Sequence, residues 1–80
     1  MPKPTSKSGS RNLISNNLTA LRQERNLSQR DLANLLQLEG YDMDRNVITR
    51  IETGKRYVTD IELKALCNIF HVTFEDLIRD

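Results

Sequence analysis

The sequence predicts an all-α fold, a compact domain of five short helices, and three observations carry that reading. Apolar residues recur at i, i+3, i+4 and i+7 through most of the chain. Helix-start residues (Ser28, Asp44, Thr59, Thr73) and helix-stop residues (Asn26, Gly40, Gly54) bound those stretches. No segment alternates with the period of two that a half-buried strand needs, and no internal repeat is present.

Taken in order, residues 1–11 are mostly Pro, Ser, Lys and Gly with nothing to bury, so a disordered basic tail is expected there. The folded domain is expected over 12–80. A first helix should run from about residue 13 to 25, with Ile14, Leu18 and Leu21 as its buried stripe and Leu13 at the edge. Asn26 tolerates the left-handed conformation that ends it. Ser28 and Asp31 approximate a capping box, so a second helix should cover about 29–38, burying Leu32, Ala33 and either Leu35 or Leu36 before Gly40 stops it. Tyr41 and Met43 are expected to pack inward from the following loop. Asp44 caps a third helix over about 45–53, which Gly54 terminates.

After a stretch at 55–58 that is extended or a loop, Thr59 and Glu62 form a full capping box. The fourth helix carries Leu63, Leu66, Cys67 and Phe70 inward and ends near His71. Residues 73–76 open a last short helix that buries Leu77, with Phe74 or Ile78 as further candidates.

Composition narrows the possible functions. Eighty residues allow one small core that buries about 60% of the unfolded surface. The formal charge is only +1, so overall basicity identifies no partner. The charges are unevenly placed: Lys3, Lys7, Arg11, Arg22 and Arg25 face Glu24 alone over 1–27, whereas Asp60, Glu62, Glu75, Asp76 and Asp80 outnumber Lys64 and Arg79 beyond Tyr57. Such polarity can orient a small domain on a polyanion. Cys67 is the only cysteine, which forbids an intramolecular disulfide and points to a reducing, cytoplasmic setting. In its apolar run it reads as a small buried hydrophobe. The chain shows neither a run of about 20 apolar residues for a membrane span nor a secretory signal.

An enzyme finds little support. His71 is the only histidine and sits at a helix end, where it reads as a cap. Asp42 and Asp44 lack the oxygen-ligand loop of a calcium site, and no phosphate-cradling glycine loop or nucleophile–base set is present. No cofactor and no metal are therefore expected.

The third helix is the most informative stretch. Val47, Ile48 and Ile51 share one face, while Arg45, Asn46, Thr49 and Arg50 share the other. Four such residues are ordinarily a plain solvated face, yet each can hydrogen-bond a base edge or a phosphate. A helix this short needs the rest of the chain to hold it.

The surrounding pattern gives that face a meaning. Leu21-Arg22, Leu27-Ser28-Gln29, Leu32-Ala33, Ile48, Arg50-Ile51-Glu52 and Gly54-Lys55-Arg56 together resemble the lambda repressor/Cro-type helix-turn-helix family. Glu62-Leu63, Leu66, Phe70-His71-Val72-Thr73 and Leu77 continue the resemblance through the last two helices. The resemblance implies a lambda-repressor-like five-helix fold with the helix-turn-helix made by helices 2 and 3. Ala33 is small where those helices approach, and Ile48 anchors the third. Arg45 and Arg50 would read guanine, Asn46 adenine, and Thr49 a thymine methyl or a phosphate. Gln29, at a helix N-terminus, and Lys55 and Arg56, after the third helix, would contact phosphates. Arg22 and Glu52 would pair structurally. The basic tail would be either inert or an arm reaching phosphates or the minor groove.

The implied function is a transcriptional regulator, a repressor, binding a palindromic double-stranded operator as a homodimer, with half-sites about 34 Å apart and Leu77 and Ile78 as candidate dimer contacts. No room is left for an effector-binding domain. The segment between Ala33 and Ile48 is longer than the family's commonest form, which predicts an extra turn on the second helix and a longer loop. Two other readings stand beside it: the same fold used as a protein-interaction module, which the near-neutral charge allows, and the antitoxin of a toxin–antitoxin pair.

Overall fold

The computed structural model describes residues 5, 6 and 9–79. The expectations placed on Lys3, Lys7 and Asp80 lie outside the described residues. Among those described, five helices and no strand are present: α1 (Ser15–Glu24), α2 (Gln29–Leu38), α3 (Arg45–Glu52), α4 (Asp60–Phe70) and α5 (Phe74–Ile78). None is long and apolar enough to cross a membrane.

Four of the five helix starts are set by side-chain caps. Ser28, Thr59 and Thr73 each accept the backbone N–H three residues on, from Asp31, Glu62 and Asp76, whose carboxylates return a bond to the cap's own N–H. Asp44 accepts from Val47 N–H at 2.9 Å. Each bond satisfies a helix-end donor that would otherwise have no partner. Stops are equally local. Asn26 and His71 take left-handed backbone conformations, and Gly40 and Gly54 have φ of +92° and +72°.

α1 begins two residues later than expected. The Ile14 N–H is taken by the Asn12 side-chain oxygen at 3.0 Å, and Leu13 lies exposed outside the helix. α3 likewise ends at Glu52, with Thr53 as its cap.

The core gathers residues from every helix. Ile14, Leu18, Leu32, Leu36, Met43, Ile48, Ile51, Leu66, Phe70 and Leu77 are the large fully buried side chains, with Ala33 and Ala65 between them. At about 1.5–3 kcal/mol per buried aliphatic side chain, this cluster is the main stabilising element. Leu36, not Leu35, faces in. On α4 the buried residues are Ala65, Leu66 and Phe70, whereas Leu63 and Cys67 are only half-buried. That helix packs against both α2 and α5, so two of its edges are covered rather than one stripe. Leu77 alone is buried on α5; Phe74 and Ile78 are exposed.

α3 packs against α1 and α2, and α1 also packs against α5. Asn17 on α1 closes this ring, its amide nitrogen donating to the carbonyls of Leu77 and Arg79 at 2.7 and 2.6 Å. The long α2–α3 connection does not loosen the arrangement. Tyr41 N–H returns to the Leu36 carbonyl at 3.0 Å, Met43 is buried, and Tyr41 is half-buried against the core.

Candidate nucleic-acid interface

α3 presents two faces to different surroundings. Ile48 and Ile51 are fully buried and Val47 half-buried, while Arg45, Asn46 and Arg50 are exposed. The helix is thus anchored by its apolar side and turns its polar side outward.

The anchor is completed by a polar junction of α1, α2 and α3. Arg22 donates through Nε to Glu52 Oε2 at 2.7 Å and through Nη2 to Oε1 at 3.1 Å, while Nη1 donates to the Leu27 carbonyl at 2.8 Å. Gln29 Nε2 also donates to Glu52 Oε1, at 3.1 Å, and Gln29 Oε1 accepts the Thr49 hydroxyl at 2.8 Å. The Arg22 and Glu52 side chains are only 14% and 6% exposed. The hydrogen bond to Glu52 holds the Arg22 guanidinium above its usual pKa, against an opposing effect of burial. One carboxylate therefore accepts from two helices and belongs to the third.

This junction gives partners inside the protein to two of the residues expected to meet DNA. Thr49 is half-buried and its hydroxyl serves Gln29, with the Arg45 carbonyl as a second acceptor at 3.0 Å. One N–H of the Gln29 amide is committed to Glu52, so one remains to be offered outward from the α2 N-terminus. Neither partner could be read from sequence spacing.

Lys55 and Arg56 differ in a similar way. Lys55 is exposed, and its ammonium has no ion-pair partner among the described residues. Arg56 Nη1 instead donates to Glu62 Oε1 at 2.9 Å and to the Tyr57 carbonyl at 3.0 Å. Glu62 therefore does more than complete a capping box.

Two shallow basic grooves flank the outward face of α3. Arg22, Gln29, Arg30 and Arg45 line the first, at the α2 N-terminus. Arg11, Arg50, Thr53 and Lys55 line the second, together with Ser10 and Gly54. Gly9, Ser10 and Arg11 fall in the stretch expected to be a disordered tail, yet Arg11 N–H donates to the Gly54 carbonyl at 2.9 Å and its guanidinium lies over the Tyr57 ring.

Two consecutive helices joined on a buried junction, the second turning a basic face outward, define a helix-turn-helix DNA-binding domain. A family model described as helix-turn-helix matches residues 18–77, three quarters of the chain. The chain belongs to that family, in agreement with the lambda repressor/Cro-type resemblance of its sequence. No curated protein and no solved structure matches it significantly.

Proposed function

We propose that this DNA-binding domain is a sequence-specific transcriptional regulator, acting as a repressor, that inserts α3 into the major groove. The observation that carries this reading is the exposed set Arg45, Asn46 and Arg50 on a helix whose opposite side carries the fully buried Ile48 and Ile51. Arginine matches the paired acceptors of guanine, and asparagine the donor–acceptor pair of adenine. Gln29 and Lys55, one beside each flanking groove, would hold the two phosphate backbones and fix the register of the helix. Arg56 would contribute through the nitrogens that Glu62 does not use, and Thr49 through whatever contact its Gln29-bound hydroxyl still allows.

A homodimer on a palindromic operator completes the proposal, because one small reading helix supplies limited affinity and two half-sites about one turn apart multiply it. Leu77 closes the core and is unavailable for this contact, so a dimer would draw on the exposed Phe74 and Ile78. The cytoplasm is the setting such a function requires.

Selection from a random double-stranded DNA pool at two salt concentrations tests the reading. Wild type should enrich one motif. Arg45→Ala and Arg50→Ala should each relax specificity at one position, costing about 1–3 kcal/mol there. Lys55→Ala should weaken all sequences and lower the salt slope by about one. No enriched motif, together with a protein partner recovered by pull-down, would transfer the function to protein interaction.

A further inference from the structure

The turn after α3, which carries Lys55, is tied from a point some forty residues upstream. Asn12 is the centre of that tie. Its Nδ2 donates to the carbonyls of Ile51 at 3.0 Å and Arg56 at 2.9 Å, one bond on each side of the turn. Its Oδ1 accepts the Ile14 N–H, so every polar position of the amide is used. Ile51 lies in the last turn of α3, and its carbonyl also accepts the Gly54 N–H at 3.1 Å, so the Asn12 bond adds to the bond that closes the turn.

Neighbouring residues reinforce the same place. Arg11 N–H donates to the Gly54 carbonyl, and Arg11 Nη1 to the Lys55 carbonyl at 3.4 Å. The Ser10 hydroxyl donates to the Asn12 carbonyl at 2.8 Å and packs where a side chain on Gly54 would sit. Four hydrogen bonds from two consecutive residues thus bracket residues 51–56.

We propose that Asn12 is a positioning residue for DNA binding, holding the turn so that Lys55 meets a backbone phosphate. The inference rests on the proposed DNA-binding function and adds a residue outside the helix-turn-helix to it. Its action is distinct from ordinary stabilisation. A residue that only stabilises the fold changes the fraction of folded protein, which scales affinity equally at every salt concentration. A residue that places one cation against one phosphate changes the number of counterions released, and so the slope itself.

The test measures affinity for the enriched DNA across a salt series for wild type, Asn12→Ala, Asn12→Ser and Lys55→Ala, with helix content followed by circular dichroism. Asn12→Ser keeps an oxygen that can cap Ile14 N–H but cannot reach both carbonyls, so it serves if Asn12→Ala does not fold. Both Asn12 variants should lower the slope by about one, as Lys55→Ala does, without altering the preferred bases. Combining Asn12→Ser with Lys55→Ala should lower it no further. An unchanged slope in a folded Asn12 variant overturns the proposal while leaving the DNA-binding reading intact. Absence of any DNA preference in wild type overturns that reading, and this proposal with it.

Discussion

Removing the Glu52 carboxylate should be among the most damaging single changes available outside the apolar core. Glu52→Ala strips Arg22 Nε and Nη2 and Gln29 Nε2 of their acceptor while leaving the guanidinium largely enclosed, its side chain only 14% exposed. Breaking a buried ion pair costs about 3–5 kcal/mol. The partial exposure of Arg22, and its surviving bond to the Leu27 carbonyl, favour the lower end, about 3 kcal/mol. An 80-residue domain has total stability on the order of 4–12 kcal/mol. A loss of that size corresponds to roughly 12–24 °C in Tm for a domain of this length.

Glu62→Ala is the matched control. It removes one of the two bonds of a capping box, about 1 kcal/mol, and the partly exposed Arg56 pair, worth at most about 1 kcal/mol more, while the Thr59 hydroxyl keeps the backbone N–H it accepts. Urea denaturation and thermal melts of both variants measure the difference. Arg22→Ala/Glu52→Ala should also lose less than the two single changes added together, by about 0.5–3 kcal/mol. Equal losses for Glu52→Ala and Glu62→Ala, or strictly additive Arg22 and Glu52 effects, would refute the junction as a stabilising unit.

Two further outcomes are expected. Gly54→Ala should destabilise more than Gly40→Ala in the same urea assay: both positions have positive φ, but a Cβ on Gly54 would meet Ser10 Oγ at 2.6 Å whereas Gly40 faces open space. Equal losses would mean that the packing of Ser10 on this turn contributes nothing. For acid stability, hydrogen bonds from the Ser28 and Thr73 backbone N–H groups, then their hydroxyls, hold the Asp31 and Asp76 carboxyls below the usual carboxylate range. Their folded-state pKa values are depressed, so the stabilisation is complete above the unfolded value of about 3.9 and is lost as pH falls through the folded values. Tm should therefore drop below about pH 4, and Asp31→Asn/Asp76→Asn should flatten that drop; an equally steep fall in the double variant would count against it.

What could be read in the sequence is what is decided locally. Ser28, Asp44, Thr59 and Thr73 start helices through bonds that span three residues, and Asn26, Gly40 and Gly54 stop them by their own backbone freedom. The buried stripe of α3 follows from helical spacing alone. Tertiary neighbours decide the rest. Thr49 and Gln29 look outward in a sequence because their partner is each other, twenty residues apart. Asn12 carries no visible role in the sequence because its acceptors lie 39 and 44 positions on. Leu77 is expected inside, but whether Phe74 or Ile78 joins it is decided only by the docking of α5 on α1 and α4, which leaves both exposed.

The contact of Asn17 with the end of α5 bears on the order in which the core is completed during synthesis. α1 leaves the ribosome first, but the carbonyls that its Asn17 binds belong to residues 77 and 79. Until Leu77 arrives, the core lacks one of its fully buried side chains, a vacancy of the kind that costs about 2–5 kcal/mol when a buried leucine is cut back. The helix-turn-helix, by contrast, is held by contacts of α3 with α1 and α2 that all lie upstream of α5. A chain cut before residue 77 should therefore melt at a lower temperature than the sequence through residue 79, because it loses both a buried leucine and the acceptors of Asn17.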